Sequence, residues 1–302
     1  MDIRKLNHRY GWLVADYLND SPDAISQELL SDFLPEGADP ASEETVYAAL
    51  LGGFLGLSPA SEEDRFLMDK YLRPGLRRMD ADFWRRDPYY RNIRIDAAEK
   101  AGWQLDWQTY RPYELFLRDD LILTDDLRQI PAIGYFPEAF SYPSVLQDGR
   151  EWMSIKPSEI ESTRAAVEAA AGRVVTFGLG LGYFAYMASR KPEVVSVTVV
   201  ERDAAVISLF QDYLLPQFPN KDKIAVIESD AFDYLEHQMS LSPPDSVFMD
   251  IWHDISDGTP LYVRARQYEG HFPTTRFTYW IDRSIRCALV DFLADRADKQ
   301  NV

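Results

Sequence analysis

The sequence predicts an α/β protein, with a doubly wound, mainly parallel sheet behind a mainly α-helical N-terminal domain. Three observations predict it. Short β-rich runs alternate with helical patterns from about residue 157 onward, as right-handed βαβ units do. Before residue 120 the dominant signals are helix starts. Finally, three alternating glycines stand where the first buried strand passes into a helix.

In the N-terminal part, Ser42-Glu43-Glu44 reads as the cap of a run through Tyr47, Leu50, Leu51 and Phe54. Ser61-Glu62-Glu63-Asp64 is a capping box before Phe66, Leu67 and Tyr71, and Pro74-Gly75 ends that helix. Trp103 and Trp107, four residues apart, read as core anchors of a helical domain over residues 1–120. Residues 121–156 follow as N-terminal strands of a second domain, 121–302. Here Ile130 to Phe136 and Trp152 to Ile155 are strand-like, and Gln147-Asp148-Gly149 is a turn.

The core of the second domain runs from 157 to 302. Pro157 opens a helix that Gly172 closes. Strands are expected at Arg173 to Phe177, Val194 to Val200, Lys223 to Glu228, Ser246 to Asp250 and Arg276 to Ile281. Helices are expected between them at Gly182 to Arg190, Asp203 to Leu215, Ala231 to Gln238 and Thr259 to Tyr268, with a last one at Ile285 to Ala297.

Composition narrows the function. The 302 residues carry 32 Lys+Arg against 49 Asp+Glu, a formal net charge of -17, which argues against nucleic acid and anionic membranes as partners. A single cysteine, Cys287, excludes a disulfide framework and fits a reducing compartment. With neither a leader pattern nor a spanning apolar run, a cytoplasmic protein is expected. Residues 1–64 sum to -10 and residues 65–118 to +4. In the second stretch Arg73, Arg77, Arg78, Arg85, Arg86, Arg91 and Arg94 alternate with Phe83, Trp84, Tyr89 and Tyr90. That mixture suits RNA or an anionic substrate. The favoured reading is a helical face paired with the acidic segment upstream.

The chemistry concentrates after residue 174. In Val174-Val175-Thr176-Phe177-Gly178-Leu179-Gly180-Leu181-Gly182, glycine permits positive φ and lets a ligand lie on bare backbone, close to the N–H groups that open a helix. The alternative is a tight, packed βα turn. Glu201 ends the next strand, 19 residues after Gly182, and a carboxylate there suits ribose hydroxyls. The glycine spacing departs from the dinucleotide fingerprint, which disfavours NAD. Asp230 follows the third strand, where a short acid can accept from an adenine amino group, and Asp250 ends the fourth. All four lie at the carboxyl ends of strands, where open α/β sheets bind ligands.

Residues 157 to 255 resemble the class I, Rossmann-like S-adenosyl-L-methionine-dependent methyltransferases, with a spermidine-synthase-like flavour. The resemblance implies that Gly178, Leu179, Gly180, Gly182 and Tyr183 form the cofactor loop, that Glu201 and Arg202 stand at the ribose, and that Asp230 and Ala231 stand at the adenine. It places Asp250 near the methionine and the acceptor. Three departures stand out. Thr176 replaces an acid that grips the methionine amino end in many relatives. The Asn-Pro-Pro-aromatic motif of amino-group methyltransferases is absent. The usual last antiparallel hairpin is also missing, and the strands between Ile130 and Ile155 are candidates to replace it.

For catalysis the expected residues are Asp250, His253 and Asp254. His253 and Asp254 have a plainer alternative, a solvated loop histidine and a helix cap ahead of Gly258. No metal site is expected. The leading function is methyl transfer to a small molecule or protein side chain, with a homodimer left open. Two other readings stay open: an aminopropyl transferase, with Leu181 where spermidine synthases carry an acid, and a nucleoside-binding module without turnover.

Overall fold

A computed structural model describes residues 2–34 and 37–300, and the chain divides into two compact units. The first comprises residues 1–84 and 109–141, the second residues 85–108 and 142–302. This differs from the 1–120 and 121–302 division expected from sequence. Strand pairing sets the boundary: Ala98–Lys100 and Trp103–Tyr110 join a four-stranded sheet with Phe140–Gln147 and Arg150–Ser154.

The first unit is mainly helical. Leu6, Tyr10, Tyr47, Leu51 and Tyr71 form part of its core, and the rings of Tyr47 and Tyr135 stack with centroids 3.8 Å apart. Asp39, not Ser42, caps the helix Pro40–Phe54, because its carboxylate accepts from the Ser42 N–H at 2.7 Å. Ser61 caps the next helix as expected. Pro131, lacking an N–H, splits the strand expected over 130–136 into Gln129–Ile130 and Ile133–Tyr135. Of the basic segment, Arg78 pairs with Glu43 at 3.0 Å.

The second unit carries the parallel sheet. Its strands are β1 (Gly172–Phe177), β2 (Val194–Glu201), β3 (Ile224–Glu228), β4 (Ser246–Met249) and β5 (Arg276–Tyr279). They lie in the order β3-β2-β1-β4-β5, every pair parallel. Among the described residues from 157 on, the α-helices are α1 (Pro157–Ala169), α2 (Tyr183–Ser189), α3 (Ala204–Leu209), α4 (Ala231–His237), α5 (Ile255–Tyr268) and α6 (Asp282–Gln300). This is the Rossmann-like, doubly wound arrangement. The chain winds outward from β1 to β3, crosses back to β4, and leaves a switch point between β1 and β4. Val174, Val197, Val199, Val247 and Phe248 are buried, as strands covered on both faces require.

Two expectations in this unit fail. Residues 103–110 form a strand, not a helix, because Trp103, Leu105 and Trp107 fit a period of two as well as a spacing of four. Trp103 is buried, edge-on to Trp152 at 5.5 Å, and Trp107 is exposed. The strands at 140–147 and 150–154 form their own sheet and do not extend the parallel one. They make a hairpin whose turn is Asp148-Gly149, both at positive φ as a type I′ turn requires. Among the described residues no helix is long and apolar enough to cross a membrane.

Candidate functional site

Register fixes the site. Gly178 donates its N–H to the Val200 carbonyl at 2.9 Å, and Asp250 donates its own to the Phe177 carbonyl at 2.9 Å. Ser229 donates to the Glu201 carbonyl at 2.9 Å. The residues just beyond β1, β2, β3 and β4 therefore stand at one level along the carboxyl edge, and a cleft of about 600 Å³ opens over them.

The glycines divide into two roles. A side-chain carbon on Gly178, at φ +94°, would lie 1.9 Å from the Asp250 carbonyl oxygen, so glycine lets β1 and β4 close at the switch point. On Gly180 it would lie 1.6 Å from the Met153 sulfur, so the hairpin strand Arg150–Ser154 packs directly onto the loop. Gly182 instead faces Phe210, at 2.4 Å from the ideal carbon position, and serves helix packing. Gly178, Leu179 and Gly180 line the cleft, whereas Gly182 and Tyr183 do not. Tyr183 instead lines a small chamber beside the loop, and its hydroxyl donates to Asp87 at 3.0 Å.

Glu201 is half-buried and holds the loop. One carboxylate oxygen accepts the Leu179 N–H at 3.1 Å, and the other accepts those of Arg202 and Asp203 at 2.8 and 2.9 Å. A carboxylate offers about four lone-pair positions, so one remains for a ligand hydroxyl. Arg202, Asp230 and Ala231 also line the cleft. Asp230 caps α4, with one oxygen accepting from the Phe232 and Asp233 N–H groups at 2.8 and 3.2 Å. Arg264 sits over the Phe232 ring, 3.7 Å from its centroid, at the same end.

Asp250 lies at the other end, facing Glu159 from the first turn of α1. Burial, then the negative charges of Glu159 and Glu201, hold the Asp250 carboxyl well above the ordinary range. Burial also raises Glu159, against the pull of Lys156 and with a push from Glu151, to about 7. Both acids, with Thr176 and Thr163, line a small inner chamber of about 20 Å³ that opens beside the glycine loop. That is room for about one water molecule.

His253 and Asp254 reach the cleft in different ways. The His253 ring stands edge-on to Trp152, with centroids 3.9 Å apart, over the mouth. Asp254 caps α5: one oxygen accepts from the Ser256 N–H and hydroxyl, both at 2.6 Å, while Asp257 returns a bond to the Asp254 N–H at 2.9 Å. Its carboxyl is lowered, first by the Ser256 hydroxyl and then by the Ser256 and Asp257 N–H groups. The helix-cap alternative is the one this geometry favours, and it starts α5 at Ile255 rather than Thr259.

Sequence reasoning missed Glu159, Met153, Trp152 and Arg264 at the cleft. None belongs to a motif, and only the folded hairpin and helices bring them to the strand ends. Among the described residues no group of three His, Cys, Asp or Glu is arranged to hold a metal ion.

No family model matches the chain. No curated protein matches it either. Among solved structures it is similar to a putative O-methyltransferase from Klebsiella pneumoniae, at 20% identity and a TM-score of 0.28, over 35% of this chain and 48% of that one. It is also similar to spermidine synthase from Thermotoga maritima, at 13% identity and 0.32, over 56% and 51%. A spermidine synthase in complex with the transition-state analogue AdoDATO aligns at 14% identity and 0.32, over 52% and 46%. The chain thus spans about half the length of the solved structures it matches.

Proposed function

We propose that the cleft binds S-adenosyl-L-methionine and that the protein is a transferase moving its methyl group to an acceptor. The observation that carries the reading is one cleft lined by the glycine loop at Gly178 and Gly180, the Glu201 carboxylate and Asp230 along the carboxyl edge. Glu201 fits a ribose hydroxyl, since three backbone N–H groups hold its carboxylate in place and one acceptor position is left over. Asp230 fits an exocyclic amino group, one oxygen being fixed by the helix cap. The cofactor supplies an electrophilic methyl carbon. The residues of the chain orient it, exclude water and take protons. Positioning is the larger effect, worth about 7 to 11 kcal/mol in favourable models.

Calorimetric titration of S-adenosylmethionine and S-adenosylhomocysteine into wild type and Glu201→Ala tests this. Micromolar binding, about -8 kcal/mol, is expected in the wild type and its loss in the variant. Absence of binding by either ligand removes the reading. A second reading, aminopropyl transfer to a polyamine, is favoured by the carboxylates of Glu151, Glu159 and Asp250 along one cleft. Turnover of the decarboxylated cofactor with a diamine, and not of the methyl donor, would select it. Tight binding without either turnover would select a nucleoside-binding module.

A further inference from the structure

Glu159 is the acid that the site gains from outside its motifs. It comes from the first turn of α1, ahead of the sheet, and lines both the cleft and the inner chamber beside Asp250. Thr176, on β1, lines the same chamber with a neutral side chain and is buried. The nearest cation is Lys156, and its ammonium already donates to Glu151 at 2.7 Å. The Trp280 indole N–H, which carries no charge, is shared between the Ser162 hydroxyl at 2.9 Å and the Glu159 carboxylate. Among the described residues no basic side chain lines the inner chamber, Lys156 lining only the cleft, so the two carboxylates have no counter-charge between them there and a cation entering from the cleft would supply it.

We propose that Glu159, together with Asp250, forms the cation-holding end of the cleft and releases a proton to solvent as a positively charged part of the ligand enters. This rests on the cofactor reading above. Ribose at Glu201 and base at Asp230 orient the ligand so that its sulfur and amino-acid end run past the glycine loop towards Asp250 and Glu159. Two groups there are cationic, the sulfonium and the ammonium, and the chemistry sought by the chamber is common to both. The groups facing Glu159 are Asp250, Glu151 and Lys156, with Glu201 acting on Asp250. Ionised Glu159 binds the cation and protonated Glu159 does not, so affinity rises with pH through the range near 7 in which this carboxyl titrates.

The experiment is calorimetry at pH 5.5 and 7.0 with three probes: S-adenosylmethionine, S-adenosylhomocysteine and 5′-methylthioadenosine, the last of which carries no cation. Wild type is expected to bind S-adenosylmethionine on the order of tenfold more tightly at pH 7.0, as one group titrating near 7 requires. Glu159→Gln is expected to lose that pH dependence while binding 5′-methylthioadenosine like wild type, which also shows that it folds. S-adenosylhomocysteine following S-adenosylmethionine assigns the cation as the ammonium; its following 5′-methylthioadenosine assigns the sulfonium. Equal S-adenosylmethionine affinity at both pH values, or a tenfold dependence surviving in Glu159→Gln, overturns the proposal alone. Failure of all three probes to bind removes the cofactor reading and the proposal with it.

Discussion

The backbone carbonyl oxygen of Asp250 occupies the space that a side chain on Gly178 would need, 1.9 Å from the ideal carbon position. The obstacle is main chain on a buried strand end and cannot rotate away, and φ at Gly178 is +94°. Gly178→Ala is therefore expected to part β1 from β4. The expected loss is on the order of 2 to 4 kcal/mol, overpacking and backbone strain combined. Denaturant unfolding measures it, and an unchanged midpoint would contradict this account of the switch point.

Gly180 makes the opposite case, because its obstacle is the end of a flexible thioether. Gly180→Ala is expected to cost less than Gly178→Ala. Met153→Ala should recover part of the loss when the two are combined. A double-mutant cycle with no coupling between positions 153 and 180 would show that the hairpin does not press on the loop.

Glu201→Gln replaces one of two oxygens that together accept three backbone N–H groups. Either orientation of the amide turns a donor towards a donor. The loss of stability should be about 1 to 3 kcal/mol, with binding of S-adenosylhomocysteine weakened at least tenfold. A variant that kept both properties would detach this carboxylate from the loop and from the ligand.

Asp254 and Glu159 should respond to pH with opposite signs. The lowered carboxyl of Asp254 gives stability present above its unfolded value, near 3.9, and lost as pH falls through the folded value. Asp254→Ala should cost about 0.5 to 2 kcal/mol at pH 7, as cap removal does, and leave ligand affinity intact. A large fall in turnover at unchanged melting temperature would instead restore Asp254 as a base. The raised carboxyl of Glu159 gives stability present below its unfolded value, near 4.3, and lost as pH rises towards 7. Glu159→Gln should thus melt higher than wild type at pH 8 and not at pH 4. Melting curves at the two pH values decide it.

The sequence carried the parallel half well, for a physical reason. Runs such as Val197-Thr198-Val199-Val200 are buried on both faces, so their strand signal is nearly continuous, and each ends at a polar residue on the binding edge. Asp148-Gly149 announced its hairpin through turn chemistry alone. The N-terminal part was harder to read. Trp103 and Trp107 fit two periods at once, and pairing with a strand forty residues away decided between them. Gly182 looks like a ligand-loop residue but is given over to helix packing against Phe210. Glu159 had no local signal, since what gives it meaning is a facing carboxylate some ninety residues later.

The contact between Met153 and Gly180 also has a kinetic consequence. If the proposed ligand lies against Gly180, it takes the place of the thioether there, and seating becomes a two-step event in which the side chain yields before the ligand settles. The observed association rate should level off at high ligand concentration, at the frequency with which Met153 withdraws. Shortening that side chain should then raise the ceiling and speed departure together, which would make the flexible side chain above the loop the clock for residence time.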